Sequence, residues 1–163
     1  MRSEERWAQL ARAAGADRRD ETPQLSCELL TLLASDEYAV PVERVREIVR
    51  MRRITPMPRV PRAVLGLIAL RGEMVQVVDL RVRLGLEAAA PSRRSRIVVL
   101  HGQDGEVAGL LVDAVREVLR VPEHALVAPP AGEIDAVEAL CARDERFVSV
   151  LDVDRVLDLG SHG

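Results

Sequence analysis

The chain has 163 residues, a net charge of −3, 48% hydrophobic residues and only 2% aromatics. A chain of this length buries about 70% of its unfolded surface, its core has to be aliphatic, and disorder is excluded away from the ends. No apolar run approaches the roughly 20 residues of a membrane span, and residues 1–14 lack the apolar stretch of a signal peptide, which predicts a cytoplasmic protein with no membrane insertion.

The charge is unevenly spread. Every basic residue is Arg. Residues 41–96 hold thirteen Arg against five acids, and residues 97–163 hold five against thirteen. One half of the chain suits an acidic partner and the other a basic one. Cys27 and Cys141 are far apart and neither belongs to a CxxC pair, so both read as small buried hydrophobes.

Residues 1–24 form an extension. Trp7, Leu10, Ala11 and Ala14 fall at helical spacing, so the extension reads as a docking helix over 4–14 or as a frayed, flexible end. The folded domain runs over 25–160. Residues 25–34 read as a strand, 35–37 as a turn and 38–41 as a second strand. Residues 42–50 (VERVREIVR) predict one helical turn feeding a strand. Residues 53–61 carry three prolines and predict a loop.

Next come two short Val/Leu/Ile runs, 64–70 and 74–78, joined by Leu70-Arg71-Gly72-Glu73. They predict a hairpin of buried strands. Gly72 supplies the positive φ of the second turn position, and Arg71 stands at the tip. Asp79 follows as the cap of a helical turn over 80–84.

Residues 87–95 are a polar connector and predict a seam between subdomains. Residues 97–101 and 106–112 form a hairpin around the loop 102–105, 122–132 is loop, and 137–142 with 147–151 make another hairpin. A final helical turn spans 152–159.

The two halves copy each other. Residues 42–50 match Val112-Asp113-Ala114-Val115-Arg116-Glu117-Val118-Leu119-Arg120, seventy positions on. Asp79-Leu80-Arg81-Val82-Arg83-Leu84 matches Asp152-Val153-Asp154-Arg155-Val156-Leu157, seventy-three on. Two related β-subdomains follow, each of about five short strands, and closing them into small barrels removes exposed edges. The copies differ at the hairpin tip, where Arg143-Asp144-Glu145-Arg146 replaces Leu70-Arg71-Gly72-Glu73.

No catalytic set emerges. His101, His124 and His162 are scattered without metal-ligand spacing. The chain lacks GxGxxG, P-loop and GxSxG motifs. Asp79 and Asp152 recur as a pair, which favours capping over acid–base work. The chain is therefore read as a non-enzyme without a cofactor. Arg44, Arg46, Arg50, Arg52, Arg53, Arg59 and Arg62 are dense enough to contact phosphates. An Arg-rich nucleic-acid-binding β-barrel is thus the alternative from another class. It lacks stacking aromatics, zinc spacing and a helix-turn-helix pattern, so the preferred reading is a protein-interaction module that binds no nucleic acid.

The residues also carry a family likeness. Glu37-Tyr38-Ala39-Val40-Pro41-Val42, Val45-Arg46-Glu47-Ile48, Gly66-Leu67-Ile68-Ala69-Leu70-Arg71-Gly72, Val77-Val78-Asp79-Leu80-Arg81 and Gly109-Leu110-Leu111-Val112-Asp113 stand in order at ordinary spacing. Together they resemble the CheW-like domain, the adaptor that couples bacterial chemoreceptors to a CheA-type histidine kinase. The resemblance implies an all-β fold of two intertwined five-stranded, SH3-like barrels and no catalysis. It implies two partners, the cytoplasmic tip of a receptor and the regulatory domain of the kinase. It also implies a chain that is monomeric when free and is recruited to receptor arrays. Carried over, Val45, Glu47 and Arg71 fall at receptor contacts. Ile97, Val98, Val115 and Val118 fall along the facing side of the groove, and Gly66 and Gly72 at glycines needed by the fold or its interfaces. The family usually has Asn where Ala69 stands. A diverged adaptor that keeps only one partner, in a specialised motility pathway, is the alternative within the family.

Overall fold

The computed structural model describes residues 25–132 and 134–159. The expected leader helix lies outside them. Eleven strands are present among the described residues. The first three are β1 (Ser26–Ala34), β2 (Asp36–Pro41) and β3 (Val45–Arg50), with a 3-10 turn at Val42–Arg44 before β3. The central hairpin is β4 (Val64–Leu70) and β5 (Glu73–Asp79), followed by the helical turn α1 (Leu80–Arg83). Then come β6 (Arg96–His101), β7 (Val107–Val112), β8 (Ala114–Pro122) and a second 3-10 turn at Glu123–Ala125. The chain closes with β9 (Leu126–Val127), β10 (Val137–Arg143), β11 (Arg146–Leu151) and α2 (Val153–Leu157).

The strands form two sheets, ordered β8-β1-β2-β11-β10-β9 and β3-β6-β7-β5-β4. The expected β architecture of two intertwined units is therefore present. Its pairing follows the repeat. β3 pairs β6 through Val45↔Leu100, Ile48↔Val98 and Arg50↔Arg96. β8 pairs β1 through Val115↔Leu32, Val118↔Leu30 and Arg120↔Glu28. Each ladder carries a bulge at the matching place, between Val45 and Glu47 and between Leu30 and Leu32. Both sheets take strands from both halves of the repeat, which is what intertwines them.

Several boundaries move. The turn expected over 35–37 narrows to Ser35, because Asp36 and Glu37 already pair with Ala34 and Leu33. The repeat equates the 3-10 turn at Val42–Arg44 with residues 112–114, but there the chain has only a corner entering the long strand β8. The expected loop 122–132 contains β9, whose Val127 pairs Leu140. In the other sheet Thr55 bridges Leu67 at the matching position. The connector 87–95 joins α1 to β6, while β5 and β6 lie in one sheet. The chain passes between sheets instead at 41–45 and at 112–114.

Three clusters fill the interior. The largest lies between the sheets and draws Leu30, Leu32, Val78, Leu80, Val98, Leu100, Leu110, Leu151 and Val156 from both. A second fills the five-stranded unit, with Ile68, Val75, Val77, Ile97, Val99 and Leu111. A third fills the six-stranded unit, with Leu29, Cys141, Val148 and Val150. This explains the continuous apolar runs. Successive side chains point to opposite faces of a strand. In β6, Ile97 and Val99 enter one core while Val98 and Leu100 enter another.

Asp79 and Asp152 cap the helical turns, accepting from the backbone N–H of Arg81 at 3.0 Å and of Arg155 at 3.1 Å. Burial pushes the Asp79 carboxyl up, and the backbone donors of Val82 and Arg81 partly offset this.

Candidate interaction site

The β4–β5 hairpin closes in two residues, Arg71 and Gly72, with φ of 52° and 80°. Two consecutive positive φ values are the mark of a type I′ turn, whose twist matches that of paired strands. The turn aims the Arg71 side chain across the unit at β3. Its Nε donates to Glu47 Oε2 at 3.0 Å and its Nη2 to Glu47 Oε1 at 3.1 Å. This is the bidentate geometry that a planar guanidinium favours. The Arg71 side chain is still 71% exposed, against 20% for Glu47. Hydrogen bonding to Arg71 holds the Glu47 carboxyl below its ordinary range.

Two weaker contacts join the same elements. Arg52 Nη1 donates to the Ala69 carbonyl at 3.1 Å, and Arg46 lies 3.8 Å from Glu73. β3 and β4 are the terminal strands of their sheet, and these side chains help to close the barrel between them.

The repeat carries a second version. Asp144 and Glu145 form the β10–β11 turn with φ of 48° and 65°. The backbone of the tip is therefore kept although its residues are not. Arg143 Nη2 donates to Glu117 of β8 at 2.7 Å, in the place of the Arg71–Glu47 pair. Arg146 donates at 2.7 Å to Glu37, whose side chain is 7% exposed. Exposed apolar residues are duplicated too. Ile48 and Met74 flank the first pair, and Val118 and Phe147 the second. Ile48, Met74, Phe147, Glu117 and Arg143 are missed by sequence reasoning, whereas Val118 is among the expected site residues. For all but Arg143 the signal was present, since each lies at its counterpart's position once the two copies are aligned, whereas Arg143 aligns with Leu70 and not with Arg71.

The expected site residues separate into groups. Glu47 and Arg71 meet directly. Val45 and Val115 start equivalent strands and pack half-buried against the shared core. Val118 is exposed. Ile97 and Val98 are both fully buried. They cannot line a groove in this structure, because β6 has a core on each face. Gly66 has φ 144°, and a Cβ there would lie 2.1 Å from the Thr55 carbonyl oxygen. Gly72 needs only its positive φ, since a Cβ there meets nothing within 4 Å.

Nothing in this region is arranged for bond making. His101 Nε2 lies 2.9 Å from the Glu43 carbonyl. Burial pushes the thiols of Cys27 and Cys141 up, away from thiolate chemistry. Among the described residues no three His, Cys, Asp or Glu gather as metal ligands, and no helix is long and apolar enough to cross a membrane. The arrangement offers apolar patches beside oriented ion pairs, which is the equipment of a protein-binding surface.

The family model described as the CheW-like domain matches residues 29–160. The chemotaxis protein CheW of Rhizobium meliloti is 36% identical over 134 residues, covering 79% of this chain and 86% of that protein. Protein FrzA of Myxococcus xanthus is 37% identical over 124 residues, covering 72% and 76%. The crystal structure of the scaffolding protein TtCheW from Thermoanaerobacter tengcongensis superposes with a TM-score of 0.77 at 28% identity, covering 83% of this chain and 95% of that one.

Proposed function

This chain belongs to the CheW-like family, and we propose that it carries out the family's work, non-catalytic coupling of a chemoreceptor to a histidine kinase, through the paired faces of its two barrels. The receptor's cytoplasmic tip docks where β3 meets the β4–β5 hairpin. Arg71 supplies charge-assisted hydrogen bonds to a receptor carboxylate or carbonyl. Val45, Val115 and the exposed Val118 supply apolar contact for a helical tip. The regulatory domain of the kinase takes the hairpin ends bearing Met74 and Phe147. Working between such partners places the protein in the cytoplasm, at receptor arrays.

The observation that carries this reading is the 71% exposed Arg71, held bidentate by Glu47 on a two-residue turn. Holding the side chain in place lowers the entropy cost of using it in binding. The test is separate titration of the purified chain with a receptor-tip fragment and with a kinase regulatory domain. Binding of both supports coupling. Binding of one alone identifies the single-partner adaptor, and binding of neither overturns the reading.

A further inference from the structure

Arg50 and Arg96 stand directly opposite each other across the β3–β6 ladder. Like charges so placed destabilise a sheet. The equivalent position of the other sheet holds Glu28 opposite Arg120, so the fold itself does not require the clash. More positive charge surrounds it. Arg52 and Arg53 follow β3. Arg93 and Arg94 sit on a turn stapled by Ser92 and Ser95, where the Ser92 N–H donates to Ser95 Oγ at 2.8 Å and the Arg94 N–H to Ser92 Oγ at 3.1 Å. Arg96 spends its guanidinium on the carbonyls of Arg93 and Ser95. None of these six arginines has a carboxylate ion pair among the described residues. The sequence holds no acid between Glu47 and Glu73, or between Glu87 and Asp104. The matching loop of the other half, 121–136, reverses the charge with Glu123, Glu133 and Asp135 and no Arg.

We propose that this arginine end of the five-stranded barrel is a second docking surface, adjoining the Arg71 site along β3, for an acidic protein segment with aliphatic side chains between its carboxylates. The charge fits any polyanion, and the apolar residues choose among them. Ile48 is 41% exposed and lies between Arg46 and Arg50 on the outer face of β3. A strand rise of about 3.3 Å per residue places these two arginines roughly 13 Å apart. That pattern matches a segment alternating carboxylate and aliphatic groups. A duplex backbone offers no apolar groups, and single strands need aromatic stacking. Of the aromatics among the described residues, Tyr38 is buried and Phe147 belongs to the other sheet. A lipid surface takes an inserted apolar anchor, whereas Met51 and Ile54 of this loop turn inward onto the barrel core.

The experiment is fluorescence anisotropy of the full chain with a labelled peptide alternating Glu and Leu, beside duplex DNA and phosphatidylglycerol vesicles. The peptide binds best, and its affinity falls as salt rises. Arg50→Glu restores the opposite-charge arrangement of Glu28 and Arg120, so it melts no lower than wild type while binding falls about tenfold or more. Arg94→Glu, on the exposed turn, gives the same loss without touching a strand. Arg116→Glu, at the exposed matching position on β8 of the other sheet, leaves peptide binding unchanged, which confines the surface to the arginine end. Undiminished binding in the folded Arg94→Glu variant overturns the proposal. So does equal loss through Arg116→Glu, or preference for DNA or vesicles over the peptide.

Discussion

Arg81 and Asp154 hold the same place in the two halves of the molecule, the second residue of a capped helical turn, and carry opposite charges. Arg81 grips Asp113 at 2.9 and 2.8 Å, and Asp113 also accepts the Ser35 N–H at 2.9 Å. Asp154 is paired with Arg44 and accepts the Gln103 N–H at 3.0 Å. Each half thus ties a helical turn, a hairpin turn and the start of an edge strand to one carboxylate. The carboxylate has moved from the strand corner in one copy to the helical turn in the other, while the hairpin amide keeps its role.

This arrangement predicts an acid-sensitive contribution to stability. The Arg81 guanidinium holds the Asp113 carboxyl below its ordinary range, burial opposes this, and the Ser35 amide adds to the lowering. A carboxyl depressed in the folded state stabilises above its unfolded pKa of about 3.9 and loses that contribution as pH falls through the folded value. Asp113→Asn is expected to cost on the order of 1 kcal/mol at neutral pH, after allowing for solvent screening of a partly exposed pair. Thermal melts across pH check it. The gap from wild type closes below about pH 4, and a gap of constant size contradicts the assignment.

The two glycines of the central hairpin are expected to differ sharply. An alanine methyl at Gly66 would press 2.1 Å from the Thr55 carbonyl oxygen, within the bridge where Thr55 and Leu67 exchange hydrogen bonds at 2.8 Å. Gly66→Ala should cost about 3 kcal/mol or more. Gly72→Ala meets open space and should cost only about 1 kcal/mol for its positive φ. Chemical denaturation of both variants decides, and equal costs would remove the steric argument.

Ile97 and Val118, both expected from the sequence to contact a partner, should separate in the same experiment. Ile97 is fully buried and fills the space beside Gly109, where an added Cβ would lie 2.6 Å from it. Ile97→Ala should cost about 2–5 kcal/mol. Val118 is 54% exposed, so Val118→Ala should stay within about 0.5 kcal/mol. If Val118 touches the receptor, its variant weakens binding without lowering the melting temperature.

Ile97 also shows where sequence reading stops. The hairpins, the aspartate caps and the repeat are all local patterns, and all are legible in the chain. The run Ile97-Val98-Val99-Leu100 announces a strand but not that each face meets a different core. That depends on β3 pairing with β6, and on the shared cluster that joins both sheets. The meeting of Glu47 and Arg71 is hidden for the same reason, since barrel closure brings them together. Val118 was expected from the sequence, and its counterpart Ile48 and the pair Met74/Phe147 were legible in principle, because they follow from the repeat once it is aligned through the exposed positions as well as the buried ones.

The final prediction separates the two roles open to Arg71, closing the barrel and touching the receptor. Arg71→Glu sets two carboxylates against each other and removes the exposed cation, so both roles fail and receptor-tip binding should fall about tenfold or more. Adding Glu47→Arg restores an ion pair in reversed order across the same turn. If Arg71 only closes the barrel, the double variant regains both the melting temperature and the binding. The guanidinium is anchored by Glu47 through two hydrogen bonds, yet its side chain remains 71% exposed. It can therefore serve Glu47 and a partner at once. The double variant is accordingly expected to recover stability but not binding, because the cation then sits on β3 rather than at the hairpin tip. Recovery of receptor binding in the folded double variant would reduce Arg71 to a strut.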